Sequence, residues 1–195
     1  MFNSAQLSGH SYPQCPQAIF LDRDGVVNHD SEFYIKSLAE WHPIPGSIEA
    51  IVQLSQAQIK VIIVTNQSGL ARGLFTAATL VEIHTMLIHA VTELQGKVTD
   101  IFYCPHGPEH QCECRKPKPG LIFAAAQKYH LDLSACWFVG DSWRDLEAAR
   151  SAHVQPALVL TGKGQNTLST HPELLEQIPI FDDLAGFANW LIGGK

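Results

Sequence analysis

Short apolar runs alternate along this chain with stretches of helical periodicity. Residues 18–22, AIFLD, are apolar up to their last position and predict a strand buried on both faces. Residues 61–64, VIIV, are β-branched throughout and predict a second. Residues 100–103 end a third strand, residues 136–139 form a fourth and residues 157–160 a fifth. Between them, residues 46–58 carry Ile48, Ile51, Val52 and Leu54 on one helical face. Thr76 offers an N-cap to a long helix in which Leu80, Ile83, Leu87, Ile88, Val91 and Leu94 recur. Residues 121–129, 143–150 and 184–192 predict three more helices.

Strand–helix alternation of this kind implies a parallel sheet covered on both faces. The expected fold class is therefore α/β and Rossmann-like. No repeat, low-complexity tract or linker divides it, so residues 18–195 are expected to form a single domain behind a loose arm at residues 1–17.

In a parallel sheet, functional groups gather where the strands end. The first predicted strand ends in Asp22-Arg23-Asp24-Gly25, the second in Thr65-Asn66-Gln67-Ser68-Gly69, and the fourth in Gly140-Asp141-Ser142 with Asp145 close behind. The segment after the third leads to Arg115 and Lys116. Each piece alone has a plain use as a turn or a helix cap. Together they put carboxylates, a hydroxyl and cations on one edge. Crowded carboxylates repel unless a cation lies between them, and hard oxygen ligands suit Mg2+. A carboxylate can attack phosphorus, and a second one two positions on can move the proton of the leaving oxygen. Lysine and threonine suit the oxygens of the transferring phosphoryl group.

A second constellation lies in CPHGPEHQCECRKPKPG, residues 104–120. Cys104, His106, Cys112 and Cys114 supply three thiolates and an imidazole, a closed tetrahedral set of the kind that holds structural Zn2+. His110 is left over, and Cys15 and Cys136 fall outside the motif. A segment this short cannot bury a core of its own, so a metal would fix it and set Arg115 and Lys116 over the strand ends.

Composition narrows the reading. Hydrophobic residues make up 46% and charged residues 16% of the 195, the profile of a globular chain. A net charge of −6 argues against nucleic acid or an anionic membrane as partner, so an anionic ligand needs a local basic pocket. The start shows no basic segment followed by an apolar one, and no apolar run approaches membrane length. An odd cysteine count with three clustered argues against a disulfide framework. A cytoplasmic monomer acting on a small molecule is expected.

LDRDG, VTNQSG, RKPKPG and VGDSWRD resemble the four motifs of the haloacid dehalogenase superfamily of phosphatases, over residues 18–163. DRDG, TNQSGLARG and CPH…CECRKPKPG are similar to the heptose bisphosphate phosphatase family. The histidinol-phosphate phosphatases share the metal loop, but typically carry an acidic residue at the position of Ser68 and lack Ala71-Arg72-Gly73. Thr161-Gly162-Lys163 also resembles the heptose family.

The resemblance implies a haloacid dehalogenase fold, an aspartyl-phosphate intermediate and a phosphorylated sugar as substrate. Asp22 is then the nucleophile and Asp24 the general acid/base, with Thr65 and Lys116 on the phosphoryl group. Mg2+ is held by Asp22, Asp24 through its backbone carbonyl, and Asp141; Zn2+ is structural. Arg115 recognises substrate, Asn66, Gln67 and Ser68 line the pocket, and residues 30–34 resemble the substrate loop with Asp30 and Tyr34. Ser142, where Lys is common in the family, joins the substrate-binding set, and Val26 stands where Thr is usual. Residues 26–45 and 104–116 are too short for a large cap domain.

Arg23 has two readings, contact with substrate or pairing with an acid on the far side of its loop. Arg72 contacts a second phosphate or caps its loop. Asp145 is expected to orient other groups; Trp41, Trp137 and Trp190 to pack; and most histidines outside the cluster to lie on the surface. The rival functions are a histidinol-phosphate phosphatase, a DNA 3′-phosphatase and a zinc-ordered binding module without turnover.

Overall fold

The computed structural model of the chain describes residues 16–193. The expected arm thus lies largely outside the described residues. Of its last two residues, Pro16 is buried and Gln17 is tied to the residue 132–135 turn, donating its N–H to the Ala135 carbonyl at 2.8 Å.

Strands β1 (Ala18–Leu21), β2 (Lys60–Asn66), β3 (Asp100–Cys104), β4 (Cys136–Gly140), β5 (Gln155–Val159) and β6 (Ile180–Phe181) form one sheet in the order β3-β2-β1-β4-β5-β6. Every pairing is parallel. Successive strand residues point to opposite faces. Ile19, Leu21, Ile63, Trp137 and Val139 accordingly join the core on one face, while Phe20, Ile62, Val64 and Phe138 join the core on the other. Because both faces are covered, these strands read as continuous apolar runs rather than alternating ones.

Helices α1 (Ser47–Gln56), α2 (Ala77–Glu93) and α6 (Leu184–Gly193) pack on the first face through Ile51, Leu87 and Phe187, among others. Helices α3 (Gly120–Tyr129) and α4 (Trp143–Ser151) pack on the second through Ile122 and Ala149. Burying a side chain of this size contributes roughly 1.5–3 kcal/mol relative to exposure. Thr76 caps α2 as expected, accepting the Thr79 N–H at 3.1 Å.

Two elements were not expected. Helix α5 (Gly164–Thr170) has the sequence GQNTLST, which shows no apolar stripe. It is held from outside, where Thr167 Oγ1 donates to the Asp141 carbonyl at 2.8 Å. Strand β6 has only two residues, too short to carry a period.

The links that would house a cap are short. Between β1 and α1 the regular structure is a 3-10 turn at Leu38–Glu40, and between β3 and α3 one at Pro108–His110. The α/β, parallel-sheet expectation with no large cap domain is what the chain adopts. No helix among the described residues is long and apolar enough to cross a membrane.

Candidate active site

The strand order reverses direction between β1 and β4, and the crevice at such a switch point is where open α/β sheets place their sites. Asp22 follows β1 and Asp141 follows β4. They line one cleft with Asp24, Asp30, Tyr34, Thr65, Asn66, Gln67, Ser68, Arg115, Lys116 and Ser142, so residues from all four motifs meet there.

Lys116 is the organising cation. Only 2% exposed, it lies 2.9 Å from Asp22 Oδ1 and 2.7 Å from Asp145 Oδ1, and it donates to the Val64 carbonyl at 2.9 Å. A buried ammonium needs such compensation. Burial works against its charge, but Asp145 and Asp22 outweigh it and raise its pKa. Asn66 fixes the backbone of Lys116 from both sides: its Nδ2 donates to the Lys116 carbonyl and its Oδ1 accepts the Lys116 N–H, each at 3.1 Å. Its amide is thereby committed to holding Lys116, although it lines the cleft.

Asp22 accepts the Arg23 N–H at 2.7 Å on the same Oδ1 that faces Lys116. Its Oδ2 has no protein hydrogen bond among the described residues. Burial raises its carboxyl to about 7 against the pull of Lys116, with Asp145 and Asp24 adding to the rise. Asp141 is raised to about 8 by burial and by Asp145 and Asp22. Oxygens of Asp22, Asp141 and Asp145 fall within 4.8 Å of one another. Asp145, fully buried, spends both oxygens on protein partners: one on Lys116, the other on the Ser142 N–H and hydroxyl at 3.0 and 2.6 Å. Asp22 and Asp141 therefore remain as the carboxylates free to share a cation, an oxygen donor set that fits Mg2+.

Two glycines make room for Asp141. A Cβ on Gly25 would fall 2.1 Å from Asp141 Oδ2, and one on Gly162 would fall 2.2 Å from it. Both have positive φ, 91° and 54°, the region glycine enters most freely. The Lys163 N–H, next along, donates to Asp141 Oδ2 at 2.7 Å.

Asp24 is gripped differently. Arg23 donates from Nε to Oδ1 and from Nη2 to Oδ2, each at 3.0 Å. Asn28 adds a bond at 2.9 Å and Gln67 one at 2.8 Å. Burial opposes its ionisation, but Arg23 and the Asn28 and Gln67 amides hold its pKa below the usual value. Gln67 also donates to Thr65 Oγ1 at 2.9 Å, which leaves the Thr65 hydroxyl proton free to be donated. Arg23 is thus buried at 1% exposure and paired with its neighbour, neither on substrate nor with an acid across the loop. Ser142 lines the cleft but donates its hydroxyl to Asp145 as the cap of α4.

Three further charged groups line the cleft that sequence reasoning did not assign. Lys163 pairs with Asp30 across the opening. Thr161-Gly162-Lys163 was the available signal. Arg144 is exposed at the rim, and Glu32 lies in the segment between Asp30 and Tyr34. Arg72 does not line the cleft; its N–H donates to the Ser68 carbonyl at 3.1 Å.

The cluster at the end of β3 closes on itself. Cys104 Sγ lies 3.6 Å from Cys112 Sγ, 3.3 Å from Cys114 Sγ and 3.7 Å from His106 Nδ1. Cys114 lies 3.4 Å from Cys112 and 3.3 Å from His106 Nδ1. These spacings are near the edge of a tetrahedron around Zn2+, which is about 3.8 Å for sulfur ligands at about 2.3 Å. The cluster is compatible with zinc. Arg115 Nη1 donates to the His106 carbonyl at 3.2 Å, tying a cleft residue to one of the cluster's own.

The chain is similar in sequence and fold to known proteins. Residues 19–85 match a family model described as haloacid dehalogenase-like hydrolase, and residues 113–187 match one described as HAD-hydrolase-like. The chain is 55% identical over 174 residues to a D-glycero-beta-D-manno-heptose-1,7-bisphosphate 7-phosphatase of Pseudomonas aeruginosa, covering 89% of this chain and 97% of that one. It is 38% identical over 154 residues to the protein of the same name from Escherichia coli, covering 75% and 80%. A crystal structure of D,D-heptose 1,7-bisphosphate phosphatase from B. bronchiseptica, complexed with magnesium and phosphate, superposes with a TM-score of 0.88 at 48% identity, covering 92% of this chain and 99% of that one.

Proposed function

The chain belongs to the haloacid dehalogenase-like hydrolases, in the branch of the heptose-1,7-bisphosphate 7-phosphatases, and on that premise we propose that it hydrolyses the C7 phosphate of D-glycero-beta-D-manno-heptose 1,7-bisphosphate. The observation that carries the reaction is the state of Asp22. Lys116 and a backbone N–H orient one of its oxygens, and the other has no protein hydrogen bond among the described residues, beside Thr65 and Asp141 in one cleft.

The Asp22 carboxylate attacks phosphorus, and the bond from phosphorus to the C7 oxygen breaks. Asp24, ionised in the free protein, takes up the proton of the incoming phosphate monoanion, gives it to that oxygen and so returns to the carboxylate. The resulting aspartyl phosphate is cleaved by water, whose proton Asp24 takes and passes on. The bond from phosphorus to Asp22 breaks, inorganic phosphate leaves and both carboxyl groups are regenerated. Lys116 and the Thr65 hydroxyl stabilise the phosphoryl oxygens throughout. Mg2+, held by Asp22, Asp141 and the Asp24 carbonyl, supplies positive charge beside the transferring group.

Cys104, His106, Cys112 and Cys114 would hold structural Zn2+, which would keep Arg115 and Lys116 in register with the cleft. The thiolates need a reducing compartment, in keeping with a cytoplasmic enzyme. Arg115, Arg144 and Lys163 give the rim the positive charge that a sugar with a second phosphate requires.

The test is kcat/KM on the heptose bisphosphate and on histidinol phosphate, with Mg2+ present. A preference of roughly 100-fold or more for the sugar is expected, because a site built for polar partners rejects a ligand that leaves them unpaired. Equal rates, or the reverse order, would sink the assignment.

A further inference from the structure

We propose that His84 is a positioning residue for Asp24, acting through Arg23: its Nε2 accepts from Nη1 of a guanidinium whose Nε and Nη2 grip the Asp24 carboxylate. The inference rests on the reading of Asp24 as general acid/base.

His84 lies on α2, far from the motifs, and is 8% exposed. Its neighbours Leu80, Ile83 and Leu87 are buried, which sets the height and rotation of α2 and delivers the imidazole to Arg23. Nε2 lies 3.3 Å from Arg23 Nη1. A guanidinium only donates, so Nε2 is the acceptor and the ring is neutral with its proton on Nδ1. The environment agrees: burial and the Arg23 charge push its pKa down to about 4, against the pull of Asp24. The ring of Tyr103 meets the imidazole edge-on, with centroids 5.8 Å apart. Most histidines outside the cluster were expected on the surface; among those described, His84 is the buried one.

The arrangement has a consequence for Asp24. Arg23 is among the largest fully buried side chains, and Asp24 is the carboxylate it pairs with. Its fork reaches both Asp24 oxygens only while the guanidinium plane is fixed. Without His84, Nη1 is a buried donor with no acceptor, an expensive state. The guanidinium would turn to find one and release part of its hold. Asp24 would then lose the placement on which proton transfer to the leaving oxygen depends.

The experiment compares leaving groups. A sugar alkoxide needs a proton as it departs, whereas p-nitrophenolate does not. Wild type, His84→Leu, His84→Gln and Asp24→Asn are mixed in single-turnover reactions with the heptose bisphosphate or with p-nitrophenyl phosphate, and release of the leaving group is timed. His84→Leu should slow release of the sugar by about tenfold or more, a fraction of the effect of a lost general acid. Release of p-nitrophenolate should change less than about threefold. His84→Gln, whose amide oxygen can accept from Arg23, should recover most of the sugar rate.

Equal slowing of both substrates, or no slowing in folded His84→Leu, overturns the proposal. Asp24→Asn separates the failures. If it too spares the sugar reaction, the acid/base assignment falls and this inference with it; if it stops that reaction while His84→Leu does not, only the role of His84 falls. Should His84→Leu not fold, nitrogen NMR of the wild-type histidines near neutral pH decides. The proton is expected on Nδ1 of His84, and a proton on Nε2 rules the contact out.

Discussion

The ammonium of Lys116 lies 2.9 Å from Oδ1 of Asp22, brought there from the loop after β3 to the end of β1. Both are held in a site where a lost partner is felt twice, once in catalysis and once in folding. Lys116→Ala should lower kcat by about 10²–10³, the scale of one preorganised charge-stabilising donor. It should also destabilise the protein by about 3–5 kcal/mol, because Asp145 is left buried without its cation. Steady-state kinetics and denaturant unfolding check the two effects. Lost activity with unchanged stability would show that the buried pairing does not matter to the fold.

The paired carboxylates give the metal-free protein a pH dependence of definite sign. Burial, with neighbouring carboxylates adding to it, raises the folded-state pKa values of Asp22 and Asp141 to about 7 and about 8, from the ordinary 3.8 of an aspartate. The folded state therefore binds more protons than the unfolded one in that window, and stability falls as pH rises through it. His84 acts oppositely and lower: its depressed pKa costs stability as pH falls from 6.5 toward about 4. Comparing melting temperatures at about pH 6.5 and about pH 8.5 isolates the carboxylates. In EDTA the melting temperature should drop at the higher pH, and saturating Mg2+ should remove the drop. Asp22→Asn should lessen the drop and abolish turnover. A flat profile in EDTA contradicts the shared site.

Arg115 and Arg144 line one rim, and neither side chain is paired with an acid among the described residues. Arg115 bonds to the His106 carbonyl, and the Arg144 side chain has no hydrogen bond or ion pair among the described residues. Burial and then the Arg144 charge lower the Arg115 pKa. Arg144 also lies in the first turn of α4, where the helix dipole disfavours a cation. Two such charges facing one cleft suit an anion. Either alanine variant should raise KM for the bisphosphate by about tenfold, the worth of a charge-assisted bond. KM for p-nitrophenyl phosphate should hardly move. Equal damage to both substrates would put the arginines on the transferring phosphate instead.

Elemental analysis of protein purified without chelator should find about one zinc per chain. Cys112→Ser or Cys114→Ser should release it and loosen the segment that carries Arg115 and Lys116. Four ligands close the tetrahedron and leave no position for water or substrate, so turnover should answer to Mg2+ and not to zinc. Activity restored by zinc alone after EDTA treatment, or no zinc at all, would refute the division between the two metals.

The sequence by itself determined the central strands and the chemistry at their ends. AIFL and VIIV are short runs with no polar face, bounded by turn residues and, in VIIV, β-branched throughout, the pattern of a strand buried on both sides. A strand ending in Asp22, Thr65 or Asp141 must present that residue at the sheet's carboxyl edge, and a parallel sheet gathers such ends together. The zinc-type ligands also lie close enough in sequence for their spacing to be read directly. The helix α5 and strand β6 were not legible, since GQNTLST and IF have no period and owe their form to Asp141 and to β5.

Tertiary structure decided who holds whom. Asn66 reads as a pocket residue and serves as the clamp on Lys116; Ser142 reads the same way and caps a helix on Asp145. Arg23 turns to Asp24 and to His84, and Lys163 to Asp30. Each of these is a choice among several polar partners that any flexible side chain could reach. Sequence spacing bears only on partners within a few positions, whereas the winning partner is set by which strand ends the order β3-β2-β1-β4-β5-β6 makes adjacent, and by the cost of leaving a buried charge unpaired once they are.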